Sequence, residues 1–263
     1  MTTQCCPRGA LQVIAGSLVL TLALLSPSAQ ADHSLPPEVA LPWTPVRALL
    51  PDYCGPAALT SVLHHWGRPA DQATIGRTVF DRLRSGTLAG DLILCAQQAG
   101  LQAISRSGSR DDLRRWLGAG LPVIVLQDLS TQDRRGHFRV VVGYSDTRRQ
   151  FLVCDCTEPS LFALDYEQFD DLWFHFDRWC LLAAPAEQMA HAAAGDPDNP
   201  VLHFDLAEAF LRRGDHVAAR QQLCAILRLD PGHRDAGKLL ARLNRPNISP
   251  SGGRDNAAVA VRR

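Results

Sequence analysis

The order of two apolar patterns between residues 49 and 184 constrains the fold most. Residues at three- and four-residue spacing come first, as in helices, and short β-branched runs bounded by turn residues follow. The runs span residues 122–126, 137–144 and 150–155. Helices followed by strands are typical of an α+β domain. The short connection at residues 145–149 predicts that the second and third strands form an antiparallel hairpin.

The first helix of this domain is predicted to open at Cys54. Pro56 suits the first helical turn, and Gly67 ends the apolar pattern. That pattern consists of Ala57, Leu59, Val62, Leu63 and Trp66. Two further helices are predicted over residues 91–99 and 109–117, each followed by glycine.

The amino terminus has the features of an export signal. Arg8 precedes an unbroken apolar run at residues 13–25, and Ala29-Gln30-Ala31 forms a small-residue cleavage site. We therefore predict a signal peptide over residues 1–31, cleaved after Ala31, and a periplasmic or secreted protein. On this prediction, only the signal peptide contacts the membrane, and only before it is cleaved. The alternative is that the segment is retained as a signal anchor. Residues 32–48, with four prolines, are predicted to form an extended lead-in.

Charge and cysteine content narrow the class of protein. The 27 basic and 27 acidic residues balance, so the sequence carries no electrostatic footprint of nucleic-acid binding. Six cysteines follow the predicted signal peptide, and an oxidising compartment could support disulfides. With Cys54 set aside, the pairing stays open among Cys95, Cys154, Cys156, Cys180 and Cys224. Cys154-x-Cys156 has no second metal-binding pair, so we expect no metal and no cofactor.

The region after Pro185 is Ala-rich and helical. Pro197 and Pro231 end related Asp-Pro motifs 34 residues apart, which is the tetratricopeptide period. We predict a tetratricopeptide-like domain over residues 185–245 that binds substrate or a protein partner. One repeat flanked by two halves is short of the usual three, so it must pack on the preceding domain or on a partner. Residues 246–263 lack an apolar period and are predicted to be disordered.

Three residues of the middle region together predict nucleophilic catalysis. Cys54 lies at a helix N-terminus, a position that favours the reactive thiolate of a cysteine. His137 starts the most apolar strand and Asp155 ends its hairpin partner, so the two should meet at one end of the sheet. That arrangement suits a Cys-His-acid triad. His64 and His65 lie on the helix that Cys54 opens, roughly 15 Å along its axis, too far away to act as the base.

Two motifs resemble the signature blocks of C39 peptidases, the papain-like bacteriocin-processing type. They are Cys54-Gly55-Pro56-Ala57-Ala58-Leu59-x-x-Val62-Leu63-x-x-Trp66-Gly67 and Gly136-His137-Phe138-x-Val140-Val141-Val142-Gly143-Tyr144. The resemblance covers residues 49–184, including Asp155 and Tyr166-x-x-Phe169-x-x-x-Trp173 before the last strand. It implies a papain-like peptidase domain that acts on a peptide or protein. Because neither an ATP-binding cassette nor a membrane segment follows, we expect no ATP and no transport role.

One position departs from the pattern of that family. The family places a Gln six residues before the nucleophile, where its amide helps the Cys backbone N–H to hold the oxyanion, and this chain has Ala48. Loss of one oxyanion donor typically lowers kcat by ~10² to 10³. Arg47 and Tyr53 are candidate replacement donors, whereas ionised Asp52 cannot donate. The alternative function is a catalytically weak or inactive peptide-binding module.

Overall fold

The structure is a computed structural model that describes residues 35–157, 160–192 and 199–244. All of these residues belong to one compact unit. The predicted signal peptide, the first Asp-Pro motif and the predicted tail lie outside the described residues.

The described residues form nine helices and nine strands. In chain order the elements are β1 (Glu38–Ala40), α1 (Cys54–His65), α2 (Gln72–Val79), β2 (Phe80–Asp81), β3 (Gly86–Thr87), α3 (Ala89–Gln98), β4 (Gln102–Ser107), α4 (Arg110–Gly118), β5 (Val123–Asp128), β6 (Gly136–Ser145), β7 (Gln150–Asp155), β8 (Ser160–Asp165), α5 (Tyr166–Phe174), β9 (Trp179–Ala184), α6 (Ala186–Ala192), α7 (Pro200–Arg212), α8 (His216–Leu229) and α9 (Arg234–Leu243). The three helices and three strands predicted between residues 49 and 184 are present. No described helix has the length and apolar character required to span a bilayer.

The centre of the fold is an antiparallel sheet. Its strand order is β4-β9-β5-β6-β7-β8, and β1 pairs with the end of β6 that extends past β5. The lead-in thus contributes a strand. This pairing requires Gly143, because a Cβ atom there would lie 2.3 Å from the carbonyl oxygen of Val39. The predicted β6–β7 hairpin is confirmed, with a register shift between Val141 and Gly143.

Helices cover both faces of the sheet. Leu59 and Leu63 of α1 pack with Leu92 and Ile93 of α3 on one face. On the other face, Trp116 of α4 joins the aromatic residues of α5. Because side chains alternate along a strand, β6 serves both layers, with Val140 and Val142 in the first cluster and Val141 in the second. The predicted α+β fold is confirmed, with helix α1, which begins at Cys54, packed against the sheet that carries His137 and Asp155.

The carboxy-terminal helices include a pair, α7 and α8, whose turn contains Gly214 at φ 76°. Helix α7 packs against α3 and β4. The contact is close, because a Cβ atom at Gly90 would lie 1.9 Å from the carbonyl oxygen of Asp205. Fully buried Asp91 accepts hydrogen bonds from Arg212 (2.5 Å) and Arg213 (3.3 Å). The short repeat region is therefore supported by the preceding domain, as the small number of repeats predicted.

Candidate active site

Cys54 is the first residue of α1, and its side chain is half-buried. Asp52 adopts a left-handed conformation, φ 63°, which Asp tolerates better than most residues. The tight turn at residues 51–53 leads directly into the helix. The first backbone N–H groups of a helix have no intrahelical partner, so the thiol lies beside free donors and the positive end of the helix dipole.

His137 lies near the start of β6 and is only 6% exposed. Its Nε2 atom is 3.0 Å from each carboxylate oxygen of Asp155, the last residue of β7. An ionised carboxylate only accepts hydrogen bonds, so this contact holds a proton on Nε2 and leaves Nδ1 of the neutral ring as the acceptor. The side chain of Cys54 lies close enough to His137 for its charge to raise the pKa of the imidazole. The structure thus brings all three sequence-predicted site residues together.

Asp155 is held by more than the histidine. Arg139 Nε donates to Oδ2 at 2.8 Å, and the Thr157 backbone N–H donates to Oδ1 at 2.8 Å. Burial alone would raise the pKa of Asp155, but the hydrogen bonds from His137 and Thr157 and the charge of Arg139 lower it. For His137, burial opposes the charged form, yet the hydrogen bond to Asp155 and the interaction with Cys54 raise its pKa. Both shifts favour an ionised carboxylate that stabilises an imidazolium.

Arg139 was not among the predicted site residues. It is 6% exposed, and its guanidinium also donates to the backbone carbonyl oxygens of Asp128 (3.0 Å) and Leu129 (2.8 Å). These bonds fix the guanidinium beneath Asp155. The signal in the sequence was a lone charge inside an apolar strand, because a buried arginine requires a carboxylate partner.

The chain before the nucleophile is fixed by backbone and amide contacts. The Ala48 N–H donates to the carbonyl oxygen of Cys156 at 2.9 Å. The side-chain amide of Gln72 donates to the Arg47 carbonyl oxygen (2.8 Å) and accepts from the Leu49 N–H (2.7 Å). Gln72 therefore orders this segment and is committed to backbone partners.

The two replacement oxyanion donors suggested by the sequence have other contacts. Arg47 Nη1 donates to the Thr157 carbonyl oxygen at 3.3 Å. The Tyr53 ring lies 4.8 Å from the Phe80 ring and against Gly76, where a Cβ atom would be 2.4 Å from Tyr53 Cε2. These contacts do not support Arg47 or Tyr53 as an oxyanion donor.

Thr87 presents a hydroxyl group beside the first turn of α1. Its Oγ1 atom would lie 2.9 Å from a Cβ atom at Gly55, the residue after Cys54. This oxygen is buried and has no hydrogen-bond partner within the described ranges. Thr87 therefore combines an uncommitted hydroxyl with a position beside the first turn of α1.

The other cysteines and histidines have different surroundings. All six cysteines in the described part of the chain are free. Burial raises the pKa of the thiols of Cys95, Cys154, Cys156 and Cys180, so each favours the unreactive protonated form. The rings of His64 and His65 bond to the backbone carbonyl oxygens of Ala70 and Pro42, at 3.0 and 3.2 Å. Neither of these histidines takes part in the site.

Similarity to solved structures covers just over half of the chain. The peptidase domain of Streptococcus ComA, a bi-functional ABC transporter involved in a quorum sensing pathway, is 22% identical, with a TM-score of 0.46 over 55% of this chain and 99% of that one. A double glycine motif protease from an AMS/PCAT transporter, in complex with the leader peptide, is 19% identical, with a TM-score of 0.46 over 56% of this chain and 95% of that one. Xylellain, a cysteine protease from Xylella fastidiosa, is 14% identical, with a TM-score of 0.44 over 58% and 87% of the two chains.

Family relationships extend over most of the sequence. No curated protein sequence gives a significant match. The tetratricopeptide repeat model matches residues 183–243, which contain α7, α8 and α9. The Peptidase_C39 like family model matches residues 26–178, more than half of the chain, including the helix and both strands that carry the site. The chain belongs to the Peptidase_C39 like family and carries a tetratricopeptide repeat region after the peptidase-type domain.

Proposed function

We propose that this protein is an exported cysteine peptidase in which Cys54, His137 and Asp155 hydrolyse peptide bonds. One observation carries the proposal. The Nε2 atom of His137 is 3.0 Å from both Asp155 oxygens, and the neighbouring Cys54 side chain contributes to the raised pKa of the same imidazole. A nucleophile, a base and a group that orients the base are the elements of a Cys-His-acid triad.

The first half of the reaction forms a thioester. The Cys54 thiol gives its proton to Nδ1 of His137, and the thiolate sulfur attacks the substrate carbonyl carbon. The carbonyl π electrons move to oxygen, giving a tetrahedral oxyanion. When this intermediate collapses, the C–N bond breaks and the imidazolium of His137 returns its proton to the leaving amine. Asp155 stays ionised and stabilises the imidazolium.

The second half regenerates the enzyme. Water enters after the amine leaves, and neutral His137 takes one of its protons as the hydroxyl oxygen attacks the thioester carbon. Collapse of the second tetrahedral intermediate breaks the C–S bond. The sulfur of Cys54 leaves, His137 gives back the proton, and a carboxylic acid product is released. No proton needs to pass to Asp155, whose pKa is lowered by its hydrogen bonds.

The oxyanion requires two donors, and the family's Gln is replaced by Ala48. We assign the first donor to the backbone N–H of Cys54 and the second to the Thr87 hydroxyl. Thr87 Oγ1 is buried, lacks a partner among the described residues, and lies against Gly55. An oxyanion would accept the hydrogen bond that this hydroxyl does not make elsewhere.

The tetratricopeptide region is assigned to binding of the substrate or of a protein partner. Its helix α7 is fixed to the peptidase-type domain by Arg212, Arg213 and the close approach at Gly90. A peptide held by these helices would be presented at a set position relative to Cys54. Export is proposed from residues 1–31, which carry the charge, apolar run and cleavage-site pattern of a signal peptide.

Cleavage of an unbiased peptide library tests the peptidase proposal. Purified protein is incubated with peptides from a digested proteome, and new termini are identified by mass spectrometry. We expect cleavage by the wild type, none by Cys54→Ala, and wild-type cleavage by the matched control Cys95→Ala, which removes a half-buried thiol on α3. Equal cleavage by Cys54→Ala would refute the proposal. A folded wild type that binds peptides without cutting them would favour the peptide-binding alternative.

A further inference from the structure

A second thiol, that of Cys156, lies beside the proposed catalytic residues and has no part in the reaction above. It directly follows Asp155 and is 5% exposed. Its carbonyl oxygen accepts the Ala48 N–H bond at 2.9 Å, which fixes Cys156 next to the segment leading to the nucleophile. Burial raises the pKa of the Cys156 thiol, and the neighbouring charges of Cys54 and Asp155 add to the effect. The thiol is therefore poorly suited to be a second nucleophile.

The position of Cys156 completes a group of metal-ligating atoms. A ring nitrogen of His137, a carboxylate oxygen of Asp155 and the Cys156 sulfur all lie within 4.8 Å of one another. In tetrahedral zinc sites the ligand atoms are roughly 3.3 to 3.8 Å apart, as bond lengths of about 2.0 to 2.3 Å require. Adjustments of about 1 Å would suffice to form such a site.

We propose that Cys156, His137 and Asp155 bind a thiophilic divalent cation, Zn²⁺, which switches the peptidase off. The donor set contains one sulfur, one imidazole and one carboxylate, a combination that suits Zn²⁺ and not Mg²⁺ or Ca²⁺, and a water molecule would complete the tetrahedral coordination. Zn²⁺ takes the place of the thiol proton of Cys156, which is released to solvent, and the ring proton of His137 moves from Nε2 to Nδ1.

The charges around the group are compatible with the cation. One thiolate, one carboxylate and Zn²⁺ together carry no net charge. Arg139, whose Nε lies 2.8 Å from Asp155 Oδ2, holds the carboxylate in place. The Thr157 N–H on Oδ1 also holds the carboxylate in place. Arg139 therefore acts as an outer partner that orients a ligand, as in many zinc sites.

Metal binding and catalysis exclude each other at this site. A bound Zn²⁺ occupies Nε2 of His137 and leaves the ring proton on Nδ1, the atom that must accept the proton of Cys54. The inhibitory role rests on the proposed peptidase function, whereas the binding itself does not. The two parts can therefore be measured separately.

Spectroscopy with Co²⁺ tests binding independently of activity. The reduced, full-length protein is titrated with Co²⁺ alone, followed by thiolate-to-cobalt charge-transfer absorption, and Zn²⁺ is then added as competitor. We expect one Co²⁺ bound per chain through Cys156 and displaced by Zn²⁺. The Cys156→Ala variant lacks one ligand, so its affinity for Co²⁺ should be weaker than that of the wild type by at least about 10- to 100-fold. The control Cys154→Ala, which removes the neighbouring buried thiol, should bind like the wild type. Cys156→Ser keeps the side-chain volume and serves if Cys156→Ala does not fold.

The outcomes separate this inference from the proposed function. Co²⁺ binding that is equal in wild type and both Cys156 variants overturns the metal site. If peptides are cleaved, half-inhibition of Cys156→Ala should require at least about tenfold more Zn²⁺ than that of the wild type. Active wild type that is insensitive to Zn²⁺ overturns the inhibitory role. A protein that binds Co²⁺ through Cys156 and cleaves nothing retains the site and contradicts the peptidase proposal alone.

Discussion

Two aspartates, Asp155 and Asp91, are each held by arginine, but at places with different uses. Asp155 ends a strand beside a half-buried thiol and an imidazole, and one arginine fixes it from below. Asp91 is fully buried on α3 and accepts hydrogen bonds from Arg212 and Arg213 at the end of α7. The same ion-pair chemistry fixes a carboxylate beside an imidazole in one region and joins two parts of the chain in the other. The neighbouring groups, not the carboxylate itself, decide the role.

The substitution Asp155→Asn should have the largest effect on turnover. Asn removes the charge that stabilises the imidazolium, and its amide no longer enforces the tautomer in which Nδ1 accepts the thiol proton. We expect kcat to fall by about 10²- to 10⁴-fold, as for the equivalent change in serine enzymes. Steady-state cleavage of a substrate peptide measures it, with Asp91→Asn as the matched control. A kcat within twofold of wild type would remove Asp155 from the mechanism.

Thr87→Val should reduce kcat next most strongly, because it removes the proposed oxyanion donor and keeps the side-chain shape. A fall of about 10²- to 10³-fold in kcat with little change in KM is expected. Thr87→Ser restores the hydroxyl and should recover most of the activity. If Val and Ser behave alike, the donor is another group. This prediction tests whether substitutions near Cys54 lower kcat, in contrast to substitutions near Asp91.

Asp91→Asn should give the opposite pattern, with loss of stability and little loss of activity. Removing one partner of a fully buried ion pair costs about 3 to 5 kcal/mol. Arg212 and Arg213 are 24% and 29% exposed, and partial hydration of their guanidinium groups lessens the effect. We expect the free energy of unfolding, measured with urea, to fall by about 2 kcal/mol. The kcat value should stay within about threefold of wild type. A large fall in kcat would show that the junction and the site are coupled.

Gly90→Ala tests the same junction by steric means. The new Cβ atom would meet the Asp205 carbonyl oxygen at 1.9 Å, so α7 must shift away from α3. We expect such overpacking to lower the free energy of unfolding by about 1 to 3 kcal/mol. Gly237→Ala is the control, because a Cβ atom at this helical glycine meets nothing within 4 Å. The Gly237→Ala substitution should raise the free energy of unfolding by up to about 1 kcal/mol. Equal melting temperatures for the two variants would contradict the close approach.

The sequence sufficed to predict the parts of the site that depend on local pattern. Pro56 and the apolar spacing placed Cys54 at a helix start, and the short hairpin connection placed His137 and Asp155 at one sheet end. Both inferences depend on residues close to each other in the chain. The resemblance of the two signature motifs to C39 peptidases is matched by the family relationship found for residues 26–178.

The remaining contacts join segments that are far apart in sequence or lack a local signature. Thr87 belongs to a two-residue strand, and Gly55 gives no sign of lying against it. The lead-in contains no strand pattern, yet β1 pairs with β6. The junction at Asp91 depends on how α7 crosses α3, which periodicity does not determine. Arg139 was readable in principle, since it is a charge within an apolar strand.

Selective alkylation of Cys54 tests the central claim most directly. The purified protein is treated with limiting iodoacetamide at pH 6, and the modified cysteines are located by peptide mass spectrometry. Cys95 and Cys224 serve as internal references, because both are free and half-buried. We predict that Cys54 is modified first and that this preference disappears in His137→Ala. Modification of Cys54 no faster than of the reference cysteines, or a disulfide at Cys54, would contradict the account.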